Sequence, residues 1–175
     1  MVILILYVDD LLIIGDDHLI DQCKKDLTRE FEMKDLGLLH YFLGLEVQLN
    51  VDSIILNQGK YTSDILKKFE MWNCKSMSSP METNLHKLKE AAAESPPIDS
   101  TLYKQMIGSL MYLVNTRPNI CYVVHALSQF MCELEEIHLV VVKHIMRYLQ
   151  GTLNYGLKYE KVALDLHGFI DLDWG

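Results

Sequence analysis

Two short apolar runs open the chain. Val2 to Leu6 and Leu11 to Ile14 are rich in Val, Ile and Leu, and each has strand length. Tyr7, Val8, Asp9 and Asp10 lie between them, and Gly15 closes the second run. The pattern predicts a β-hairpin buried on at least one face. Asp16 or Asp17 then suits a helix N-cap. Ile20, Cys23, Leu27 and Phe31 recur at helical spacing, with Lys24, Lys25 and Arg29 mostly off that face, so a helix is expected from about His18 to Glu32. Met33 to Gly37 reads as a turn. Leu39 to Leu49 and Ile54 to Asn57 read as a second hairpin that turns at Asn50-Val51-Asp52-Ser53. A helix from about Thr62 to Trp72 would carry Tyr61, Ile65, Leu66 and Phe69 on its apolar face, with Asn73 as its stop.

The pattern loosens after that. Cys74 to Pro97 holds Ser, Lys, Glu and three of the four prolines, with few large apolar residues after Leu88. It reads as an extended connector between subdomains. Beyond it, Asp99 or Ser100 would cap a helix to about Asn115, and Arg117-Pro118 begins another, proline being tolerated in a first turn. That helix carries Val123, Val124, Leu127 and Phe130. A third is expected from about Glu136 to Leu149, ended by Gly151, and Leu153–Tyr159 and Leu164–Asp171 look like strands. The fold class is therefore α+β: hairpins and helices first, a mainly helical middle, and strands at the end.

Composition narrows the setting. Half of the 175 residues are hydrophobic and 23% are charged, a globular balance. The net charge of −8 argues against tight unaided binding to nucleic acid, although a local basic channel can act against the total. None of the cysteines, Cys23, Cys74, Cys121 and Cys132, forms a Cys-x-x-Cys spacing, so a zinc site is not expected. Free thiols suit a reducing, intracellular compartment. The apolar start lacks a basic flank and is stopped by two aspartates, which fits neither a signal peptide nor a membrane span.

Two adjacent carboxylates at the tip of an oily hairpin need a reason. Aspartate is a common solvated turn residue. The alternative is a divalent metal site, since Mg²⁺ prefers a few carboxylate oxygens together with substrate phosphates. Tyr7-Val8-Asp9-Asp10, followed by Leu-Leu-Ile-Ile-Gly, resembles the Tyr-x-Asp-Asp motif of reverse transcriptases. Further motifs come after it in order. Phe31-Glu32-Met33-Lys34-Asp35-Leu36-Gly37 is similar to the next palm segment of copia-type retrotransposon polymerases, and His40-Tyr41-Phe42-Leu43-Gly44-Leu45-Glu46-Val47 resembles their primer-gripping hairpin. Leu56-Asn57-Gln58-Gly59-Lys60-Tyr61 looks like the start of their thumb-like region. Tyr103, Ile107 to Leu113 and Thr116 to Ile120 resemble their connecting helices, and Arg147 to Thr152 and Tyr155-Gly156-Leu157 keep to the same pattern. Gly168 to Gly175 resembles the first strand of a ribonuclease H domain.

The resemblance implies a domain order. Residues 1–57 would be part of a palm, 58–98 a thumb-like helix and connector, 99–152 a helical connection, and 153–175 the start of a ribonuclease H-like domain. It implies an RNA-directed DNA polymerase working with two Mg²⁺ ions about 3.5–4 Å apart, a primer–template and a deoxynucleoside triphosphate. Asp9 and Asp10 would be catalytic metal ligands, and Asp171 the first metal ligand of the ribonuclease H-like site. Tyr7, Phe42, Leu43, Gly44 and Lys60 would contact nucleic acid. Remaining polyprotein segments would be partners, and the location cytoplasmic, in a virus-like particle, or nuclear. The family site also needs a third aspartate and fingers from before the hairpin. Neither precedes Met1 here, so the chain alone is expected to hold Mg²⁺ weakly and not to polymerise. A primer–template-binding remnant and a non-functional relic are the other readings.

Several residues have plainer readings. Phe42 and Gly44 could equally be a packed aromatic and a bulge. Lys60, Lys67 and Lys68 suit a solvated helix face. His86, His125, His138 and His144 share no metal spacing, and the methionines read as gap fillers. The stretch Cys132 to Leu139 lacks the family's proline-containing turn, so the helices either side of it could fuse or turn differently.

Overall fold

The computed structural model describes residues 1–81, 99–132 and 134–161. They form two compact units, Met1–Leu38 and a second from Leu39 on. The expected boundary at residue 57 does not coincide with this division. The second hairpin belongs with the helices that come after it, because its strands are closed by a strand from the far end of the chain.

In the first unit, strands β1 (Val2–Tyr7) and β2 (Asp10–Gly15) pair antiparallel, from Val2 opposite Gly15 to Tyr7 opposite Asp10. Helix α1 (Asp17–Glu30) comes next. Ile20, Cys23 and Leu27 are half-buried, as their spacing predicts. Phe31 leaves the stripe: it is the extended C-cap, at φ −129°, and is exposed. Lys24 reaches Asp35 at 2.9 Å, and the Gly37 N–H donates to the same Asp35 carboxylate at 2.9 Å. These contacts, the Gly37 N–H foremost, hold the Asp35 carboxyl below its usual pKa.

The second unit contains a four-stranded antiparallel sheet in the order β3 (Tyr41–Phe42), β4 (Leu45–Leu49), β5 (Ser53–Asn57), β6 (Gly156–Glu160). The single strand expected over Leu39–Leu49 is broken. Leu43 at φ +50° and Gly44 at φ +76° form a two-residue turn of the mirror-image type that fits strand twist. Phe42 and Gly44 are thus parts of a tight turn, not a bulge. The turn at Asn50–Ser53 is as expected, closed by the Asn50 N–H on the Ser53 carbonyl. Strand β6, expected to begin a ribonuclease H-like region, lies beside β5, with Gly156 opposite Asn57 and Glu160 opposite Ser53. A Cβ at Gly156 would strike the Leu56 carbonyl, so only glycine allows this approach. Leu164–Asp171 lies outside the described residues.

Four helices of this unit lie among the described residues: α2 (Gly59–Lys68), α3 (Ser100–Leu113), α4 (Pro118–Ser128) and α5 (Glu136–Gln150). Among the described residues this is an α+β fold with two antiparallel sheets and five helices. None of these helices is long and apolar enough to cross a membrane. Helix α2 stops four residues short of Trp72. Glu70 takes a left-handed φ of +58°, its N–H meets the Lys67 carbonyl, and the Met71 N–H reaches back to Leu66 at 2.7 Å. That is a Schellman end with glutamate where glycine usually stands. Asp99 caps α3, accepting from the Thr101 and Leu102 N–H groups. Pro118 opens α4 as expected. Helices α4 and α5 do not fuse: the Glu135 N–H donates to His138 Nδ1 at 3.0 Å, and the His138 ring stacks on Phe130 at 4.2 Å.

The core lies between these helices. Tyr103, Met106, Ile107, Leu110 and Leu113 of α3 form one stripe at i, i+3, i+4 and i+7 spacing, all buried. It meets Val123, Val124 and Leu127 of α4, Ile145, Met146 and Leu149 of α5, and Ile65 and Leu66 of α2. Each such side chain contributes about 1.5–3 kcal/mol relative to exposure. Two polar groups brace the assembly. The Tyr103 hydroxyl donates to the Leu127 carbonyl at 2.8 Å. Arg117, only 2% exposed, donates to the Thr152 carbonyl at 2.9 Å and to Thr152 Oγ1 at 2.7 Å, with the Tyr148 and Tyr155 rings over its guanidinium. The first part of the expected connector runs along α5. Arg147 Nε donates to Lys75 O, the Met77 N–H to Arg147 O, and His144 Nε2 lies 3.0 Å from Ser79 O. His144 and His138 therefore have structural partners, while His86 lies outside the described residues.

Leu110→Ala is expected to destabilise the second unit by about 2–5 kcal/mol, read as a lower urea midpoint at unchanged slope. Burial pushes the Tyr103 hydroxyl from 10.0 up to about 12. The folded state therefore keeps this proton where the unfolded state loses it. Stability from this group is intact below about pH 10 and is lost as pH rises towards 12. Alkaline titration of phenolate absorbance should show a late-ionising tyrosine that Tyr103→Phe removes.

Candidate functional site

The tip of the first hairpin is a two-residue turn. Tyr7 and Asp10 are the last paired residues, and Val8 and Asp9 are the turn itself. Val8 sits at φ +51°. A β-branched side chain in the left-handed region is strained, and glycine is the usual residue at the first turn position of such a hairpin. Strain of this kind persists only where surroundings over-determine it, and it clusters at functional sites. The four residues Tyr7 to Asp10 are all exposed. Asp9 and Asp10 are thus adjacent carboxylates presented to solvent at the end of a ladder of Ile, Leu and Val.

Their donors fit Mg²⁺: hard carboxylate oxygens, few in number, with room for water and phosphate. They do not make a closed site. Among the described residues no three His, Cys, Asp or Glu side chains gather as a metal-holding group. Asp171, the other expected metal ligand, lies outside the described residues. The four cysteines are unbridged.

The remaining candidates sit in the second unit, apart from Tyr7. Phe42 is half-buried at the end of β3, and Leu43 and Gly44 form the exposed β3–β4 turn. Beside this turn is an open cleft of about 560 Å³ lined by Tyr41, Gly44, Glu46, Lys60, Tyr61, Asp64 and Tyr112. Gly44 and Lys60, on separate elements of the chain, therefore share one cleft. Lys67 and Lys68 do not join it. Their ammonium groups lie 5.1 Å from the Trp72 and Phe69 rings. Glu46 and Tyr112 were not singled out from the sequence as contact residues. Glu46 Oε1 accepts the Lys60 N–H at 2.6 Å, and the Tyr112 hydroxyl donates to the Leu43 carbonyl at 2.5 Å. Neither contact has a local signal, since each joins separate elements.

Residues 1–83 match the family model described as reverse transcriptase (RNA-dependent DNA polymerase). The chain is 40% identical over 99% of its length to the retrovirus-related Pol polyprotein from transposon RE1 of Arabidopsis thaliana, and 37% identical over 98% to that from transposon TNT 1-94 of Nicotiana tabacum. It is also 36% identical to an uncharacterized mitochondrial protein of Arabidopsis thaliana, covering 98% of this chain and 71% of that one. The chain belongs to the reverse transcriptases of copia-type Pol polyproteins. It spans 12% of the RE1 polyprotein and 14% of the TNT 1-94 polyprotein. No solved structure matches it. Within the copia-type reverse transcriptase match fall both hairpins, α1 and α2.

The strained turn offers a direct test. Val8→Pro locks φ near −65° where +51° is needed. It should cost more than about 1 kcal/mol locally. The measurement is loss of the cross-strand nuclear Overhauser contacts between Tyr7 and Asp10.

Proposed function

We propose that this chain is part of a retrotransposon RNA-directed DNA polymerase, with Asp9 and Asp10 as two ligands of its Mg²⁺ site. The observation that carries the reading is the pair of exposed, adjacent carboxylates on a strained turn, within a stretch that matches the reverse transcriptase family. A hairpin holds such carboxylates more firmly than a loop. In the complete site, bound Mg²⁺ supplies the charge that activates a primer 3′-hydroxyl and steadies the leaving pyrophosphate. The work of this chain is to present the oxygens and to hold the primer. Tyr7, beside the carboxylates, and Phe42, Leu43, Gly44 and Lys60, around the second turn, are its nucleic-acid contacts. The hairpins are palm, α2 is thumb-like, α3 to α5 are connection, and the residues from 153 on lead into a ribonuclease H-like domain that includes Asp171.

Two carboxylates are too few for firm Mg²⁺ binding, and the described residues gather no third. The third ligand and the nucleotide-holding fingers come from other parts of the polyprotein. Alone, the chain holds primer–template weakly, against its net charge of −8, and does not extend it.

Mn²⁺ should broaden the amide resonances around Asp9 and Asp10, and Asp9→Asn with Asp10→Asn should abolish the effect. No broadening in the unsubstituted chain would remove the metal assignment. Primer extension on a primed RNA template should be absent. Robust Mg²⁺-dependent synthesis that Asp9→Asn abolishes would show instead that the 175 residues hold a complete site. Duplex binding should fall steeply with salt, since phosphate contacts dominate it.

A further inference from the structure

The β3–β4 turn is held from behind by a side chain remote in sequence. In a two-residue hairpin the turn carbonyls lie outside the ladder. The Leu43 carbonyl is satisfied by the Tyr112 hydroxyl, from the last turn of α3, at 2.5 Å. Gly44, the other half of the same peptide unit, is where Tyr112 passes closest. A Cβ there would collide with the hydroxyl. Glycine at this position thus serves two purposes: φ of +76° and the passage of Tyr112. The Tyr112 ring is fixed in turn. Tyr61 of α2 meets it edge-on, with centroids 4.8 Å apart at 74°, and the Tyr61 hydroxyl donates to the Ser109 carbonyl at 3.2 Å, one turn back along α3. Glu46 ties the strand leaving the turn to the start of α2 through the Lys60 N–H.

We propose that Tyr112 is a positioning residue for the primer strand: it holds the Leu43–Gly44 turn in the conformation that meets the primer, and so links α3 to the primer contact. This rests on the proposed function of that turn as a primer contact. Without the hydroxyl, the Leu43 carbonyl turns to water, and the two-residue strand β3 keeps its short pairing with β4 but loses its tie to α3. Leu43 and the Gly44 backbone then lose their fixed position beside Lys60 in the cleft. The link runs through one hydrogen bond and one ring, so it can be cut without emptying the helical core.

Tyr112→Phe keeps the ring and removes the donor. The readout is the Val47 amide, which donates to the His40 carbonyl at 2.8 Å and closes β3 on β4. In the 175-residue chain it should exchange about fivefold faster in Tyr112→Phe, with exchange at Leu110 unchanged. Primer–template affinity at fixed low salt should fall severalfold with the same salt slope, because no phosphate contact is removed. Gly44→Ala should speed Val47 exchange as well. Combined with Tyr112→Phe it should do less than the two effects added, because losing the hydroxyl relieves the collision. Unchanged Val47 exchange in Tyr112→Phe, or strict additivity, overturns the proposal. If the unsubstituted chain binds no duplex while Tyr112→Phe still speeds exchange, the primer reading itself fails. Tyr112 is then a strut of the fold and positions no primer.

Discussion

The apolar stripe of α3 has one place to go, and the second unit is built around that constraint. Tyr103, Met106, Ile107, Leu110 and Leu113 are withdrawn from water together, and α2, α4 and α5 each cover part of them. Once α3 is seated, the polar contacts at its ends fall into place. Asp99 caps its start, and just past its end Arg117 reaches to Thr152. A buried guanidinium is costly unless its donors are used. Here the Thr152 carbonyl and hydroxyl take two of them while the Tyr148 and Tyr155 rings lie over the cation. The turn after α3 is thereby locked to the turn after α5.

The first unit is governed by the opposite condition. Its hairpin is apolar on both faces, since neighbouring positions such as Ile3 and Leu4, or Ile5 and Leu6, point to opposite sides. Strands of that composition are typical of sheets covered on both faces. None of the residues of β1, β2 or α1 is fully buried. At the tip, the six paired positions of β1 and β2 carry the turn in which Val8 takes its left-handed φ.

What could be read from the sequence was periodic or chemically conspicuous. Helices α3, α4 and α5 were legible because their apolar residues recur at 3.6 and because Asp99, Pro118 and Gly151 punctuate them. Asp9 and Asp10 were legible because charge interrupts an oily run. What could not be read depended on backbone geometry or distant partners. Leu43 at positive φ carries no compositional warning, so β3 and β4 look like one strand. Glu70 in a left-handed cap is equally unannounced, so α2 looks longer than it is. The contact from Tyr112 to Leu43 joins residues 69 apart in the chain, and periodicity marks Tyr112 merely as the edge of a helical stripe. The cleft around Gly44 and Lys60 could not be assembled without that contact.

The place of β6 also bears on how the chain is made. Strand β5 is synthesised early and α2 comes at once after it, but its partner on the open side, Gly156–Glu160, arrives only after α2, α3, α4 and α5. At about 5–20 residues per second, a ribosome takes seconds to cross that interval. Throughout it β5 offers an unpaired backbone edge, the template on which other chains add strands. Folding of this sheet is therefore a race between the arrival of its own last strand and the capture of a stranger's.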